Sequence, residues 1–275
     1  MALSLETHLT LADGTKMPVL GLGVWRAASG KETQRAVGTA LQVGYRLIDT
    51  AKLYGNERDV GQAVRASKIP RDEIFVTTKL WNTDHGHAAA LRAFEQSRRE
   101  LGLDTIDLYL IHWPVPGLRR ESWKALLHLK ETGLARSIGV SNYTIRHLEE
   151  LLSSSPIPPS VNQVEFHPFL NQADLLAFCQ AHGIQLEAYS PLTRGQRLDH
   201  PVIQAVAGEY HRTAAQILIR WGLQHGLVVI PKSVRPERIR ENAQVFDFEL
   251  SRSDMARLDA LDERSHVAWD PDDLP

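Results

Sequence analysis

Four side chains able to hold or pass a proton stand at, or just past, the ends of apolar runs. Asp49 closes Arg46-Leu47-Ile48, and Tyr54 follows five residues later in Asp49-Thr50-Ala51-Lys52-Leu53-Tyr54-Gly55-Asn56-Glu57. Lys79 ends Ile74-Phe75-Val76-Thr77-Thr78, and His112 ends Ile106-Asp107-Leu108-Tyr109-Leu110-Ile111. A carboxylate, a phenol, an ammonium and an imidazole gathered on one rim can deliver a proton to an oxygen that is gaining negative charge. Singly, each has an ordinary structural reading: Asp caps a turn and Tyr packs. It is their joint position on successive run ends that points to chemistry.

The elements that must position them recur along the whole chain. Four further short runs follow those above: Ser137-Ile138-Gly139-Val140, Val161-Asn162-Gln163-Val164, Ile184 to Tyr189, and Leu227 to Ile230; Val19-Leu20-Gly21-Leu22 precedes them. Continuous apolarity suits parallel strands buried on both faces. Helix-period stretches separate them: Glu32–Gly44, Glu57–Ser67, Ala88–Leu101, Glu121–Gly133, Ile145–Leu152, Ala173–His182, Ala214–His225 and Arg235–Gln244, with a last one near Asp254–Leu261. Repeated strand–helix units predict a single (β/α)8 barrel over residues 1–275, with an open doubly wound sheet as the competitor. Asp13-Gly14, between Leu9-Thr10-Leu11 and Lys16-Met17, predicts a β-hairpin before the barrel. In a barrel, chemistry sits at the C-terminal strand ends, where the four residues lie.

Here the sequence resembles the aldo-keto reductase family, most closely its short bacterial members of the 2,5-diketogluconate reductase type. The resemblance rests on Gly21-Leu22-Gly23-Val24-Trp25, the Asp49-to-Glu57 run, Thr78-Lys79-Leu80-Trp81-Asn82 and Leu110-Ile111-His112-Trp113-Pro114. It continues through Gly139-Val140-Ser141-Asn142-Tyr143, Asn162 to Pro168, Tyr189-Ser190-Pro191-Leu192 and Ile230-Pro231-Lys232-Ser233. It implies an NADPH-dependent carbonyl reductase with Asp49, Tyr54, Lys79 and His112 as catalytic tetrad and Tyr54 as general acid. A free phenol, with a pKa near ~10, is a weak acid at neutral pH. A lysine cation ~4 Å away, at an effective dielectric of ~20, would favour the phenolate by ~4 kcal/mol before desolvation opposes it. Asp49 can pair with Lys79, and His112 can align a carbonyl.

The resemblance also implies a cofactor site. Ser141, Asn142 and Gln163 would hold the carboxamide, Tyr189 would stack on the nicotinamide, and the loop from Ser190 through Leu192 to Arg194 would approach the pyrophosphate. Glu241 and Asn242 would bind adenine. Lys232, Ser233 and Arg238, near a helix start, suit a 2′-phosphate, although alone they also read as a solvated basic turn. Thr193 departs from the Gly common in that loop. Trp25, Trp81 and Trp113 follow strands and are expected to wall a pocket for a small carbonyl substrate, whereas Trp123 and Trp221 read as packing. A monomer is expected from the resemblance.

Composition narrows the classes. The 31 Lys+Arg against 33 Asp+Glu leave a formal net charge of −2, so no broad basic surface invites nucleic acid or anionic membrane. One cysteine, Cys179, excludes an intramolecular disulfide. Glu6 arrives too early for a signal-peptide apolar region, and no run approaches the ~20 residues of a membrane helix, so a cytoplasmic location is expected. Gly21-Leu22-Gly23 has Arg at position 26, no Tyr has Lys four residues later, and there is no Gly-x-Ser-x-Gly elbow. A metal-dependent barrel hydrolase using His85, His87, His112 and His167 would leave Tyr54 and Lys79 without roles; no metal is expected. A non-catalytic NADPH-sensing subunit is the other alternative, against which the intact tetrad weighs.

Overall fold

The computed structural model describes residues 3–271 and Leu274; residues 1, 2, 272, 273 and 275 of the expected domain lie outside the described residues. A hairpin opens it, β1 (His8–Thr10) antiparallel to β2 (Lys16–Pro18). Eight strands follow among the described residues: β3 (Gly21–Gly23), β4 (Leu47–Asp49), β5 (Phe75–Leu80), β6 (Ile106–Ile111), β7 (Ala135–Ser141), β8 (Val161–Glu165), β9 (Gln185–Tyr189) and β10 (Val228–Val229). Each pairs in parallel with the next. Leu20 bridges Val229 and Gly23 bridges Lys232, so β3 meets β10 and the sheet closes into a barrel. Closure excludes the open doubly wound sheet.

The connecting helices are α1 (Lys31–Val43), α2 (Glu57–Ala66), α3 (His87–Leu101), α4 (Arg119–Glu131), α5 (Ile145–Ser154), α6 (Ala173–Ala181), α7 (Pro201–Tyr210), α8 (Ala214–Gln224), α9 (Pro236–Ala243) and α10 (Arg252–Asp259). The sequence reading omits α7, which is inserted between β9 and α8. Its Pro201 at the first helical position is a start signal, and Ile203 and Val206 are its buried face. Among the described residues no helix is long and apolar enough to cross a membrane.

The period-2 alternation of strand side chains divides the apolar residues into two separate cores. Ile48, Val76, Tyr109, Ile111, Val140 and Ala188 point outward and pack with the helices. Leu47, Phe75, Leu108, Leu110, Val161, Val228 and Ile230 point inward and fill the barrel, joined from below by Leu11 and Met17 of the hairpin. The interior is full enough to demand glycine in places. A Cβ on Gly139 would lie 2.4 Å from the Val161 carbonyl oxygen, and one on Gly21 would lie 2.5 Å from Leu47.

Asp13 fixes the hairpin as a floor. Its carboxylate accepts from Lys130 Nζ at 2.6 Å, Ser137 Oγ at 2.8 Å and Ser160 Oγ at 2.9 Å, and from its own turn through Thr15 N–H at 3.0 Å. Burial opposes its charge, yet Lys130 and these donors hold its carboxyl down at about 2.

Candidate active site

The same alternation carries the chemistry. Along each strand the inward row runs from the apolar interior to the open rim: Leu47 to Asp49, Phe75 through Thr77 to Lys79, Leu108 through Leu110 to His112, and Val161 to Gln163. Lys79, fully buried, donates to both carboxylate oxygens of Asp49 at 2.7 Å, to the Thr50 carbonyl oxygen at 3.0 Å, and reaches the Tyr54 hydroxyl at 3.4 Å. Tyr54 closes a single 3₁₀ turn, Lys52–Tyr54, that ends on Gly55 at φ +66°. Buried Asn56 holds that turn, accepting from Thr50 Oγ1 at 2.7 Å and donating to the Val24 carbonyl oxygen at 3.1 Å. Around the phenol stand Trp25, with ring centroids 4.8 Å apart, and His112, at 5.8 Å. Trp81 lies 5.2 Å from His112. The four expected proton-handling residues are therefore brought together.

Their electrostatics differ from the expectation in one respect. The sequence reading has Lys79 drawing the phenol down; in the structure Tyr54 is pushed well above its ordinary value by burial and by the carboxylates of Asp49 and Glu187. The reason is first that burial strips the phenolate of water, and then that the Asp49 and Glu187 carboxylates oppose a further negative charge. Burial, with Lys79 adding to it, lowers His112 well below the usual imidazole range. At neutral pH both groups at the rim are thus neutral: a phenol with its proton in place beside an uncharged imidazole.

Glu187 is the residue that sequence reasoning missed. It faces inward on β9, directly beside Gln163 in register, and is fully buried. Gln163 Nε2 donates to Asp49 Oδ2 and to Glu187 Oε2, each at 2.8 Å. Two buried carboxyls thus share one amide donor, with Lys79 paired to Asp49. Burial first, then the charge of Asp49, push the Glu187 carboxyl up to about 8, against an ordinary value of 4.5. The folded chain keeps a proton that the unfolded chain releases, so stability falls as pH rises from about 4.5 to about 8 and is level above that. Glu187→Gln matches the protonated shape and cannot ionise. Its thermal midpoint should track wild type near pH 5 and exceed it by at least ~3 °C near pH 8. Parallel melting profiles across that range would disprove the assignment.

A cavity of about 1030 Å³ runs from this rim to the start of α9. It is lined by Asp49, Tyr54 and His112, by Trp25, Trp81 and Trp113, and by every expected cofactor residue from Ser141 to Asn242; Lys79 lies beneath its floor. Asn142, at φ +63°, donates to the His112 carbonyl oxygen at 2.9 Å and accepts from the Tyr189 hydroxyl at 2.8 Å. Thr193 keeps the left-handed backbone that a glycine would take, with φ +50°. Its side chain is folded inward and buried, donating to the Leu192 carbonyl oxygen at 2.7 Å, so Leu192 and Arg194 form the cavity edge instead. Lys232, Ser233 and Arg238 line the far end, with Glu241 accepting from Thr213 Oγ1 at 2.7 Å.

The model of the Aldo/keto reductase family matches residues 19–263. The chain belongs to this family. Among similar proteins, "Glyoxal reductase" of Bacillus subtilis is 48% identical over 274 residues, covering 100% of this chain and 99% of the relative. "Methylglyoxal reductase" of Yersinia pestis is likewise 48% identical over 274 residues, covering 98% of each. The aldo-keto reductase of Bombyx mori, solved in complex with NADP, superposes with a TM-score of 0.92 at 37% identity, over 100% of this chain and 99% of that one.

The histidines offered for a metal site do not converge. His85 Nδ1 is 3.0 Å from Ser122 Oγ, and His167 Nε2 is 2.9 Å from Glu165 Oε1. Among the described residues no group of three His, Cys, Asp or Glu side chains is gathered to hold a metal ion. Trp123 and Trp221 are buried packing residues, and Cys179 is a buried thiol pushed up to about 12 by desolvation.

Proposed function

We propose that this aldo/keto reductase reduces small aldehydes and ketones with NADPH, Tyr54 delivering the proton. The observation that carries the reading is the Tyr54 hydroxyl resting on the buried Lys79–Asp49 pair, at the mouth of a cavity that continues to a basic helix start. The residues present fit the dinucleotide. Asn142 and Gln163 line the cavity beneath the rim, each held by the hydrogen bonds described above, the Tyr189 ring flanks them, and Lys232, Ser233 and Arg238 surround the far end at the start of α9. Burial lowers the pKa of Lys232 from its ordinary value, with Glu32 pulling it up and Arg26 pushing it down. When bound, NADPH supplies the hydride.

The chain's own residues do the rest. Neutral His112 offers one N–H to align the carbonyl oxygen between itself and Tyr54. As negative charge grows on that oxygen, Tyr54 releases its proton to it, and the phenolate left behind faces the Lys79 ammonium at hydrogen-bond distance. Asp49, itself held by Gln163, and the Thr50 carbonyl oxygen keep that ammonium in place, and the tryptophans exclude water. An NADPH-oxidation screen across aldehydes, α-oxo aldehydes and diketo sugar acids tests the reading; absence of turnover on all three classes would sink it.

The phosphate end makes a separate prediction. A 2′-phosphate carries close to two charges that only NADPH brings, and a guanidinium meets it with paired donors. Arg238→Ala should raise the NADPH Kd by at least ~10-fold and leave that of NADH within about twofold, measured by fluorescence titration. Equal weakening of both would remove Arg238 from the phosphate site.

A further inference from the structure

The carboxylate of Glu165, at the rim end of β8, is used for something the tetrad does not explain. Its side chain is 1% exposed and accepts from four donors. His167 Nε2 at 2.9 Å comes from the adjoining loop. The other three come from one stretch a hundred residues later: Val267 N–H at 2.7 Å, Ala268 N–H at 3.1 Å and His266 Nδ1 at 3.2 Å. Burial opposes its charge, yet these donors hold the carboxyl down at about 2. The Phe169 carbonyl oxygen takes the N–H groups of Glu263 at 3.2 Å and Ser265 at 3.0 Å, with Arg264 at φ +51° turning the chain between them.

What this clasp holds is a wall of the cavity. Val267, Ala268 and Trp269 line it, and Trp269 packs on Trp113 with ring centroids 5.6 Å apart. Trp269 is nonetheless 66% exposed, so its own burial contributes little to keeping it there. Its position is set instead by the two backbone N–H groups that precede it. Charge-assisted bonds to a desolvated carboxylate are the strong kind, and a backbone donor leaves the segment little freedom to re-aim.

Resting on the carbonyl-reductase reading above, we propose that Glu165 is a positioning residue for substrate selection. By fixing residues 266–268 it sets the Trp113–Trp269 wall, whose apolar rings favour the body of an aromatic aldehyde over a two-carbon dicarbonyl that has no apolar body to offer. Glu165→Gln keeps the shape, removes the charge and turns an NH2 toward one pair of donors.

Hydrogen exchange followed by mass spectrometry reads the clasp without any substrate. Glu165→Gln should speed exchange in the 264–270 peptide at least ~10-fold, by loss of the charged acceptor. With NADPH saturating, KM for benzaldehyde should rise at least ~5-fold while its kcat stays within threefold, KM for glyoxal stays within twofold, and the NADPH Kd is unchanged. Trp269→Ala, at an exposed position, should reproduce the KM pattern, and adding Glu165→Gln to it should add nothing. Ala268→Pro, which deletes one of the N–H donors and leaves Glu165 in place, keeps the question open to experiment if Glu165→Gln does not fold; it should move the benzaldehyde KM the same way. Faster exchange with both KM values unmoved, or a fall in both KM-dependent activities alike, overturns the proposal and makes Glu165 a stabilising residue only. Wild type that turns over neither substrate would fail the carbonyl-reductase reading itself, and the exchange result would still report on the clasp.

Discussion

Tyr54→Phe is expected to cost turnover ~10²–10⁴-fold, the range for a lost general acid, while leaving NADPH affinity within a few-fold. The substitution keeps the ring, and with it the contacts to Trp25, to His112 and to the Lys79 ammonium 5.1 Å from the ring centroid. It deletes one hydroxyl whose protein partner is Lys79 Nζ at 3.4 Å, a long hydrogen bond that contributes little to the fold. The variant should therefore melt within a degree or two of wild type, so a loss of rate cannot be laid to misfolding. Single-turnover decay of NADPH absorbance separates the step from product release. A rate within threefold of wild type would move the proton donor elsewhere, with His112 the first suspect.

Lys79→Met is expected to lose both activity and stability, and the two losses should be separable. Lys79 is fully buried and Asp49 is 3% exposed at its side chain, so the substitution strands a carboxylate already close to Glu187. Breaking a buried pair from one side costs ~3–5 kcal/mol, about 10 °C in a domain of this size. Replacing the pair as a whole should be far milder, because no uncompensated charge remains. The Asp49→Asn, Lys79→Met double variant should recover most of the lost thermal midpoint while turnover stays at least ~10²-fold down. If the double variant melted as low as the single one, the destabilisation would come from lost packing of the lysine stem. If it turned over at wild-type rate, Tyr54 would need no cation beside it.

The rim was legible in the sequence because inward residues recur every second position and the site begins where apolar ones stop. Asp49, Lys79 and His112 each follow that rule, so their convergence could be expected before any coordinates. Glu187 and Glu165 could not be read in the same way. Glu187 is a carboxylate with no local motif to mark it, and Glu165 lies in the motif from Asn162 to Pro168 without any local sign of its partner. Glu187 has meaning only because the barrel sets it beside Gln163, and Glu165 only because a segment about a hundred residues later returns to it. The pKa direction of Tyr54 turns on a related point: spacing could place Lys79 near the phenol and Asp49 near Lys79, but could not show how deeply the phenol is buried or that Glu187 adds its charge. Asp13 read as a turn residue, and its second oxygen's bonds to Lys130, Ser137 and Ser160 were likewise beyond the reach of local pattern.

The hairpin floor gives the barrel one open end. Leu11 and Met17 join the inner apolar residues below Asp49, Lys79 and Glu187, and Thr77 stands on the inward row between Phe75 and Lys79. On the function proposed above, a proton leaving Tyr54 would be replaced by way of the mouth, across the surface that the substrate occupies. Re-arming the acid would then wait on departure of the alcohol, and the enzyme would reset only after it had emptied.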